Sequence, residues 1–315
     1  MIPLGLNPLG LSPLGLTRLG LTRLRGAAIS AAMAALPVRL ALLLALLLPA
    51  TAALARDRFF VTSDGVRLHY TENGPARPAR TLVFIPGWLM PGWIFARQIA
   101  AFDRRDRVIV LDPRGQGASA IPRAGYTAAR RGADIGELLA RLGPRRVVLI
   151  AWSLGVLDAL AYIYAVGDAR LAGLVLIDNS VGEPPPPVFH PPTGPAPPHA
   201  VAVAAFVRGI FHTPQPAPFL RRLTAACLRV PAPAARALRA YAEPRDFWRQ
   251  AVESVRGPVL YIVRPWLAAQ AANLRAARPG TEVALFPHAG HALFIDDTPR
   301  FDRILADFLR RRVRR

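Results

Sequence analysis

From residue 56 onward, short apolar runs alternate with segments of helical spacing, and this alternation restricts the fold more than any other feature of the chain. The runs lie at residues 81–85, 108–111, 146–151, 173–177, 257–263 and 281–286. They contain few polar positions, which is typical of strands buried on both faces of a parallel sheet. The helical segments supply the crossovers that parallel strands need. The pattern therefore predicts an α/β fold, with a mostly parallel central sheet flanked by helices.

One long segment, residues 182–255, departs from this alternation. It opens with a dense proline run, which excludes a strand or helix interior and favours extended chain. Helical apolar spacing then follows at residues 200–211, 218–230 and 232–255. Because the insertion precedes the penultimate strand, it would lie over the sheet edge where strand carboxyl ends collect, as a lid. We predict a core made of residues 56–181 and 256–315, with a Pro-rich linker and helical lid at 182–255.

The opening of the chain is a low-complexity segment of pentapeptides that begin Leu-Gly-Leu. It has neither helical nor strand periodicity, and its period matches no solenoid repeat. Residues 1–32 are therefore predicted to lie outside the mature folded protein. A start of translation at Met33 instead of Met1 would have the same consequence, because the repeat would then be upstream sequence.

Residues 33–55 have the order of features that defines a secretory signal peptide. Arg39 supplies the positive start, residues 40–48 the apolar centre, and Ala53 and Ala55 the small residues of a cleavage site. The apolar run is short for about 30 Å of hydrocarbon, which favours a cleaved signal over an uncleaved N-terminal anchor. We therefore expect export to the periplasm or beyond, cleavage after Ala55, and no stable membrane insertion of the mature chain.

Composition argues against several classes of protein. The formal net charge of +20 suggests a nucleic-acid partner at first, and all 40 basic residues are Arg. Except at the C-terminus, however, the arginines are scattered, and no basic groove is interleaved with aromatic residues. We expect no nucleic-acid partner and only weak adhesion to acidic surfaces. The single cysteine, Cys227, excludes an intrachain disulfide framework and any site built from several cysteines.

The strongest chemical motif is Ala151-Trp152-Ser153-Leu154-Gly155, which follows a buried strand and opens a helix. A serine between small residues at such a turn is typical of a nucleophile elbow, because the turn is too tight for bulky neighbours two positions away. Ser153 would then stand at a helix N-terminus, where the partial positive charge favours a developing anion. We predict Ser153 as a nucleophile.

A general base for that serine is predicted at His291, in the turn after the last strand. Gly290 allows the chain to turn there, and the apolar start of the final helix follows directly. His288 lies close by in the sequence and is the competing candidate. We prefer His291 because of its place between Gly290 and the helix.

Two main-chain N–H groups are predicted to stabilise an oxyanion beside Ser153. Leu154, the residue after the nucleophile, supplies one of them. The other comes from Trp88, in the loop that follows the strand at 81–85. Gly87 precedes it and permits the close backbone approach that an oxyanion hole requires.

These motifs, together with Asp-Pro-Arg-Gly-Gln-Gly-Ala-Ser at residues 112–119, resemble those of the α/β-hydrolase superfamily. The resemblance extends from about residue 57 to the end of the chain, and is greatest to the branch of lidded serine esterases, haloperoxidase-like and epoxide-hydrolase-like enzymes. It implies that Asp112 belongs to a structural turn and has no catalytic role. Because the elbow carries serine and not aspartate, the resemblance does not extend to epoxide-hydrolase or haloalkane-dehalogenase chemistry.

The third member of a catalytic triad is harder to place. The resemblance implies an acid after the penultimate strand, but residues 264–270 contain none, and Glu282 falls within the next strand. Asp296 and Asp297 are expected to cap the final helix. Some members of the family place the acid one strand earlier, where this chain has Asp178. We predict Asp178 as the acid, with a turn role for it and no carboxylate partner for the histidine as the alternative.

The predicted activity is hydrolysis of a carboxylic ester through an acyl-enzyme on Ser153, with His291 as the base and Asp178 as its partner. No metal or organic cofactor is expected, because the triad needs none and no ligand cluster is visible in the sequence. The substrate is expected to be a small apolar ester, on the basis of Trp88, Trp93, Trp152, Phe206, Phe211, Phe219 and Trp248.

Three alternatives stay open. The first is related acyl chemistry, namely thioester or lactone hydrolysis, acyl transfer or perhydrolysis. The second is a non-catalytic binding protein with the same fold, which the missing acid favours and which Ser153, His291 and Gly87 disfavour. The third is a binder of nucleic acid or membrane surfaces, which rests on charge alone.

Overall fold

The computed structural model of this protein describes residues 56–188 and 197–313, which contain an eight-stranded sheet with helices packed around it. The prediction of an α/β fold with a mostly parallel sheet is confirmed. The low-complexity segment predicted at 1–32 and the signal peptide predicted at 33–55 lie outside the described residues, as does part of the proline run.

The sheet has the strand order β1-β2-β4-β3-β5-β6-β7-β8. β1 and β2 are antiparallel to their neighbours, and the strands from β3 to β8 are parallel. In chain order the strands are β1 (Arg56–Val61), β2 (Arg67–Asn73), β3 (Thr81–Ile85), β4 (Arg107–Asp112), β5 (Val147–Trp152), β6 (Leu171–Ile177), β7 (Val259–Val263) and β8 (Thr281–Leu285).

The helices follow the strands in alternation. They are α1 (Ala96–Phe102), α2 (Ala128–Arg141), α3 (Leu154–Val166), α4 (His199–Gly209), α5 (Ala217–Leu228), α6 (Ala232–Arg239), α7 (Arg245–Glu253), α8 (Ala268–Ala277), α9 (Leu293–Asp296) and α10 (Thr298–Arg312). The chain passes from β3 to β4 in one direction and from β4 to β5 in the other. Right-handed crossovers therefore place α1 and α2 on opposite faces of the sheet. Helix α10 packs against α1, and α3 packs against α2.

The central strands form the core because helices cover both of their faces. Every residue of β3, β5 and β7 is buried, whereas β1 and β8, at the two edges, are largely exposed or half-buried. This explains why the central runs read as continuously apolar. β3 lies between β4 and β5, so the direction of the crossovers reverses beside β3. Ligands bind at the carboxyl ends of strands at such a point in open α/β sheets.

The insertion between β6 and β7 contains α4, α5, α6 and α7. Each of these helices has a proline at its N-cap, namely Pro198, Pro216, Pro231 and Pro244. Proline suits a helix start because its φ is already helical and it lacks an N–H that would need an acceptor. The single helical stretch expected at 232–255 is wrong for this reason: it divides into α6 and α7 around Pro244.

The helices of the insertion pack in two places. α7 packs against α3, beside the sheet, while α4 and α5 pack against each other. The lid role of these helices stays a prediction. Among the described residues, no helix has both the length and the hydropathy needed to cross a bilayer.

Candidate functional site

Ser153 lies between β5 and α3, at the tight turn that the sequence predicts. Its backbone has φ 55° and ψ −122°, a strained conformation for a residue with a side chain. A Cβ at Gly155 would lie 2.6 Å from the main-chain oxygen of Ile85, and one at Gly87 would lie 2.8 Å from the Ser153 Cβ. Both glycines are therefore required by close packing around the serine.

His291 and Asp178 meet Ser153 although they are far apart in the sequence. The His291 Nε2 atom lies 2.7 Å from the Ser153 Oγ, and the His291 Nδ1 atom lies 2.7 Å from the Asp178 Oδ2. These are hydrogen-bond distances, and they form an unbroken chain from carboxylate through imidazole to hydroxyl. The arrangement is that of a nucleophile, a base and the group that orients the base.

The other histidine candidate is not part of this chain of contacts. His288 is exposed, two residues beyond the buried Phe286, whereas the His291 side chain is only 19% exposed. Trp152 holds the histidine loop in place: its Nε1 donates to the main-chain oxygen of His291 over 2.9 Å, and the two rings lie 5.2 Å apart. The choice between the two histidines is thus made by packing around the loop.

Asp178 follows β6 directly, and its side chain is fully buried. A second residue holds this carboxylate. The Arg264 Nε donates to Oδ2 over 2.6 Å, and the Arg264 main-chain N–H donates to Oδ1 over 3.0 Å. Arg264 follows β7, at the position where the sequence analysis found no acid. Sequence reasoning noted that absence and missed the arginine.

The two predicted oxyanion donors belong to segments next to Ser153. Leu154 is the first residue of α3, so its N–H has no acceptor within the helix. The Trp88 main-chain N–H donates to no acceptor within the described residues. Gly87, next to it, lies against the Ser153 side chain, as the Cβ distance above shows. These two N–H groups, for which the described residues show no acceptor, are therefore available for the predicted stabilisation of an oxyanion.

Gln116 fixes the loop that carries Trp88, and sequence reasoning missed it. Its Oε1 accepts from the Leu89 N–H over 2.5 Å, and its Nε2 donates to the Gly87 main-chain oxygen over 3.1 Å. Leu89 has a φ of 63°, so this loop is held in a conformation that non-glycine residues rarely adopt. The motif at 112–119 contains Gln116, and that was its only signal in the sequence.

Asp112 has the surroundings of a structural residue. Its carboxylate accepts from the Gly92 N–H over 2.5 Å and from the Ala118 N–H over 2.7 Å, and it lies 2.7 Å from His69 Nδ1. Burial by itself lowers the pKa of His69, but the hydrogen bonds to Asp112 and Asp57 outweigh it and raise that pKa. These contacts join the turn at 112–119 to β2.

The aromatic residues expected to form an apolar pocket divide into two groups. Trp88 donates through Nε1 to the Ala235 main-chain oxygen over 2.8 Å, and its ring lies 4.9 Å from that of Phe206. Trp93 lies 6.0 Å from Phe219. These pairs join the loop after β3 to α4, α5 and α6.

Trp152 and Trp248 belong to the other group. They are 1% and 5% exposed, respectively, and each packs against phenylalanines. The expectation that they contribute to an apolar pocket has no support in their contacts. They are core residues.

Asp296 and Asp297 were both expected to cap the final helix, and only Asp297 does so. It accepts from the Arg300 N–H at the start of α10. The Asp296 carboxylate instead accepts from the Gly290 N–H over 2.7 Å and from two lid N–H groups, those of His212 and Thr213. Asp296 therefore connects the histidine loop to the insertion, a contact between distant segments that local sequence does not reveal.

Gly290 also has a different role from the expected one. A Cβ there would lie 2.6 Å from the Ile210 main-chain oxygen and 2.6 Å from the His212 nitrogen. The residue is small because the backbone of the insertion passes close to it, whereas the glycine was expected to serve the turn.

Other chemistry is less well represented. Among the described residues, no group of three His, Cys, Asp or Glu side chains is arranged to hold a metal ion. Cys227 is buried in α5, and burial raises the pKa of its thiol to about 12. A thiol of that pKa is protonated at neutral pH and is a poor nucleophile.

Comparison with known proteins gives a family. A sequence profile described as "Alpha/beta hydrolase family" matches residues 82–302, which is more than half of the chain. The non-heme chloroperoxidase CPO-A1 of Kitasatospora aureofaciens is 36% identical over 117 residues. That alignment covers 37% of this chain and 42% of the relative, so the similarity spans about two-fifths of the relative's length.

Solved structures resemble the described fold over most of its length. A candidate aryl esterase from Burkholderia cenocepacia is 26% identical, with a TM-score of 0.72, and the match covers 81% of this chain and 98% of that one. The bromoperoxidase from Bacillus anthracis has a TM-score of 0.67 and covers 81% of this chain and 100% of its own, at 20% identity. The second likeness concerns the fold alone.

Proposed function

Because this chain belongs to the alpha/beta hydrolase family, we propose that it is a serine hydrolase that cleaves a carboxylic ester through an acyl-enzyme on Ser153. The observation that carries the proposal is the pair of contacts made by His291, 2.7 Å to the Ser153 Oγ and 2.7 Å to the Asp178 carboxylate. A hydroxyl, a base and an orienting anion in this order make the hydroxyl nucleophilic at neutral pH.

In the proposed acylation step, Ser153 Oγ attacks the ester carbonyl while His291 Nε2 accepts the hydroxyl proton. The carbonyl oxygen becomes an oxyanion, which accepts hydrogen bonds from the main-chain N–H groups of Trp88 and Leu154. The bond from carbonyl carbon to alcohol oxygen then breaks, and the His291 imidazolium gives its proton to the departing alcohol. Asp178 orients the ring and balances its charge.

The proposed deacylation step repeats this sequence with water. His291 takes a proton from a water molecule as the water oxygen attacks the acyl carbon. The bond to Ser153 Oγ breaks, the imidazolium returns the proton to Oγ, and a carboxylic acid leaves. The free serine is regenerated, and no cofactor takes part in either step.

The proposed substrate is a small ester with an apolar acyl or aromatic group. Support comes from the aromatic pairs between the loop after β3 and the insertion, Trp88 with Phe206 and Trp93 with Phe219. These rings place apolar surface on the segments next to the predicted oxyanion donor. Aromatic walls bind apolar groups by removing their surface from water.

Perhydrolysis is a second candidate, favoured by the similarity to the chloroperoxidase. Hydrogen peroxide would replace water in deacylation, and the product would be a peracid in place of a carboxylic acid. The contacts of Ser153, His291 and Asp178 suit either nucleophile. A peracid assay with acetate ester and hydrogen peroxide distinguishes the two reactions.

A fluorophosphonate probe, which loses fluoride to an activated serine, tests the proposal. We expect the full chain to be labelled at Ser153, as mapped by mass spectrometry, and the Ser153→Ala variant to be unlabelled. Asp178→Asn should be labelled at least 100-fold more slowly, because the imidazole loses the anion that orients it and stabilises its positive charge. Folded wild-type protein that resists labelling would favour the non-catalytic binding protein instead.

An ester series then separates the remaining acyl chemistries. p-Nitrophenyl esters, thioesters and lactones are compared by kcat/KM, with Ser153→Ala as the blank. Preference for a thioester or a lactone over every ester would reassign the substrate class and leave the nucleophile unchanged.

We also propose that the chain is exported and cleaved after Ala55. Arg56, the residue that would follow the cut, is the first described residue of β1, so cleavage would leave the described sheet whole. N-terminal sequencing of protein from the periplasm of a Gram-negative host should read from Arg56. Protein that stays in the membrane fraction with residues 33–55 attached would indicate an uncleaved anchor.

A further inference from the structure

Arg264 is the residue in this site whose presence the proposed reaction does not itself require. It is 28% exposed in its side chain, and it donates to both oxygens of a carboxylate that is fully buried. A buried charge without such partners costs several kcal/mol (about 3–5 when one partner is removed) and tends to be neutralised by protonation. Arg264 therefore supplies a positive charge and two hydrogen bonds to the buried Asp178 carboxylate.

The contact with Arg264 also fixes the orientation of the Asp178 carboxylate. Asp178 Oδ2 lies 2.6 Å from Arg264 Nε and 2.7 Å from His291 Nδ1, so one oxygen serves both partners. The other oxygen accepts from the Arg264 main-chain N–H over 3.0 Å. With both oxygens held by one residue, the carboxylate cannot rotate without losing a charged hydrogen bond.

The register of the sheet creates this arrangement. β6 and β7 are parallel neighbours, with Ile177 paired to Ile262, so the residues that follow them emerge side by side. The Asp178 N–H donates to the Ile262 main-chain oxygen over 2.8 Å, which continues the ladder to the end of the strand. Asp178 itself has a φ of 49°, a conformation that the ladder and the arginine together stabilise.

We propose that Arg264 is a positioning residue of the catalytic site, which pairs with the Asp178 carboxylate and holds it in the orientation that serves His291. This inference rests on the proposed function, since it assigns a partner to the acid of the proposed triad. Arg264 acts through Asp178 and touches neither Ser153 nor the ring of His291 in the described contacts.

The positive charge of Arg264 has a measurable consequence. The Arg264 guanidinium and a positively charged His291 ring would share one carboxylate, so the two positive charges would repel each other. Removing the cation should move the acid limb of the pH-rate profile to higher pH. Several titratable and charged groups lie on the segments around this histidine, namely Asp178, Arg264, Tyr261, Arg245, Asp296, His212 and His288.

The test measures the second-order rate of fluorophosphonate labelling at Ser153 against pH, in the full chain. Arg264→Gln keeps a donor near Asp178 and removes the charge, whereas Arg264→Lys keeps the charge. We expect Arg264→Gln to react 10- to 100-fold more slowly, with its acid midpoint at least half a pH unit higher. Arg264→Lys should keep the wild-type midpoint and lose less than tenfold in rate.

Arg300→Gln is the matched control. Arg300 is also a half-buried arginine near the histidine loop, and it donates to the Leu285 main-chain oxygen and stacks over Phe286. It has no contact with Asp178 among the described hydrogen bonds. Its substitution should change the labelling rate by less than twofold, which corresponds to about 0.4 kcal/mol. The acid midpoint should move by less than about 0.2 pH units.

A double-mutant comparison keeps the test decisive if Arg264→Gln folds poorly. Asp178→Asn/Arg264→Gln contains no unpaired buried charge, so it should fold. If Arg264 acts through Asp178, this variant should be labelled at the same rate as Asp178→Asn alone. A double variant at least tenfold slower than Asp178→Asn, or an unchanged midpoint in Arg264→Gln, would overturn the inference. Unreactive wild-type protein would instead overturn the proposed function.

Discussion

Two glycines matter most at the residue scale, because a side chain at either position would collide with the turn that carries Ser153. A Cβ added to Gly155 would lie 2.6 Å from the Ile85 main-chain oxygen and 2.8 Å from that of Pro86. A Cβ added to Gly87 would collide with the side chain of Ser153. The strained backbone of Ser153 cannot move to relieve either contact, because its N–H donates to the Ile177 main-chain oxygen. The turn therefore tolerates no added volume.

We predict that Gly87→Ala lowers the labelling rate of Ser153 by 10- to 100-fold, or about 1.4–2.8 kcal/mol in activation free energy. The new methyl group would lie 2.8 Å from the Ser153 Cβ and 3.2 Å from its Oγ, which displaces the loop that carries the Trp88 N–H. Gly209→Ala is the control, since a Cβ there has no neighbour within 4 Å. Equal rates for the two variants would contradict the assignment of this loop to the oxyanion hole.

At the scale of elements, one carboxylate joins the insertion to the histidine loop. Asp296 accepts from Gly290 on one side and from His212 and Thr213 on the other, and the Ala292 N–H donates to the Ile210 main-chain oxygen beside it. The segment between α4 and α5 therefore packs on the loop that carries His291. The insertion therefore holds the loop that carries His291 in place.

We predict that substitutions of two adjacent aspartates affect different properties, the labelling rate in one case and stability alone in the other. Asp296→Ala leaves the N–H groups of Gly290, His212 and Thr213 without their acceptor, so it should lower the labelling rate at least tenfold by loosening the His291 loop. Asp297→Ala removes an N-cap, so it should lower the free energy of unfolding by about 1 kcal/mol and leave the rate unchanged. Urea denaturation and labelling kinetics of both variants check this, and parallel losses of rate would refute it.

At the scale of the whole molecule, His69 joins the antiparallel hairpin to the parallel part of the sheet. It is on β2, and it contacts Asp57 on β1 over 3.0 Å and Asp112 at the end of β4 over 2.7 Å. Asp57 is exposed and contributes little, whereas Asp112 is buried. The charged form of His69 therefore stabilises the folded chain chiefly through Asp112.

This predicts a pH dependence of stability. The pKa of His69 is raised in the folded state, so its contribution is complete below the unfolded value of about 6.5 and is lost as the pH rises through the folded pKa. His69→Gln should lower the free energy of unfolding by about 1–3 kcal/mol at pH 5.5. The difference from wild type should shrink at pH 9. Urea denaturation at both values measures it, and a difference that grows with pH would reverse the sign of the argument.

Local signals in the sequence were sufficient for much of this protein. Continuous apolar runs predict strands β3 to β7 because both faces are buried, and small residues around Ser153 predict a tight turn because a Cβ would collide there. A proline stands at the start of each insertion helix in the structure, and disregarding Pro244 led to the wrong expectation of one helical stretch at 232–255. Such features depend on neighbours in the chain, and a single sequence contains them.

Only the tertiary structure decided which distant residues meet. Strand order and register bring the ends of β6 and β7 together, and so place Asp178 against Arg264 and His291. Packing around Trp152 selects His291 over His288, and the fold of the insertion diverts Asp296 from the helix cap to the lid. The physical reason is the same in each case: a hydrogen bond acts over about 3 Å of space, and its partners here are separated by tens of residues of chain.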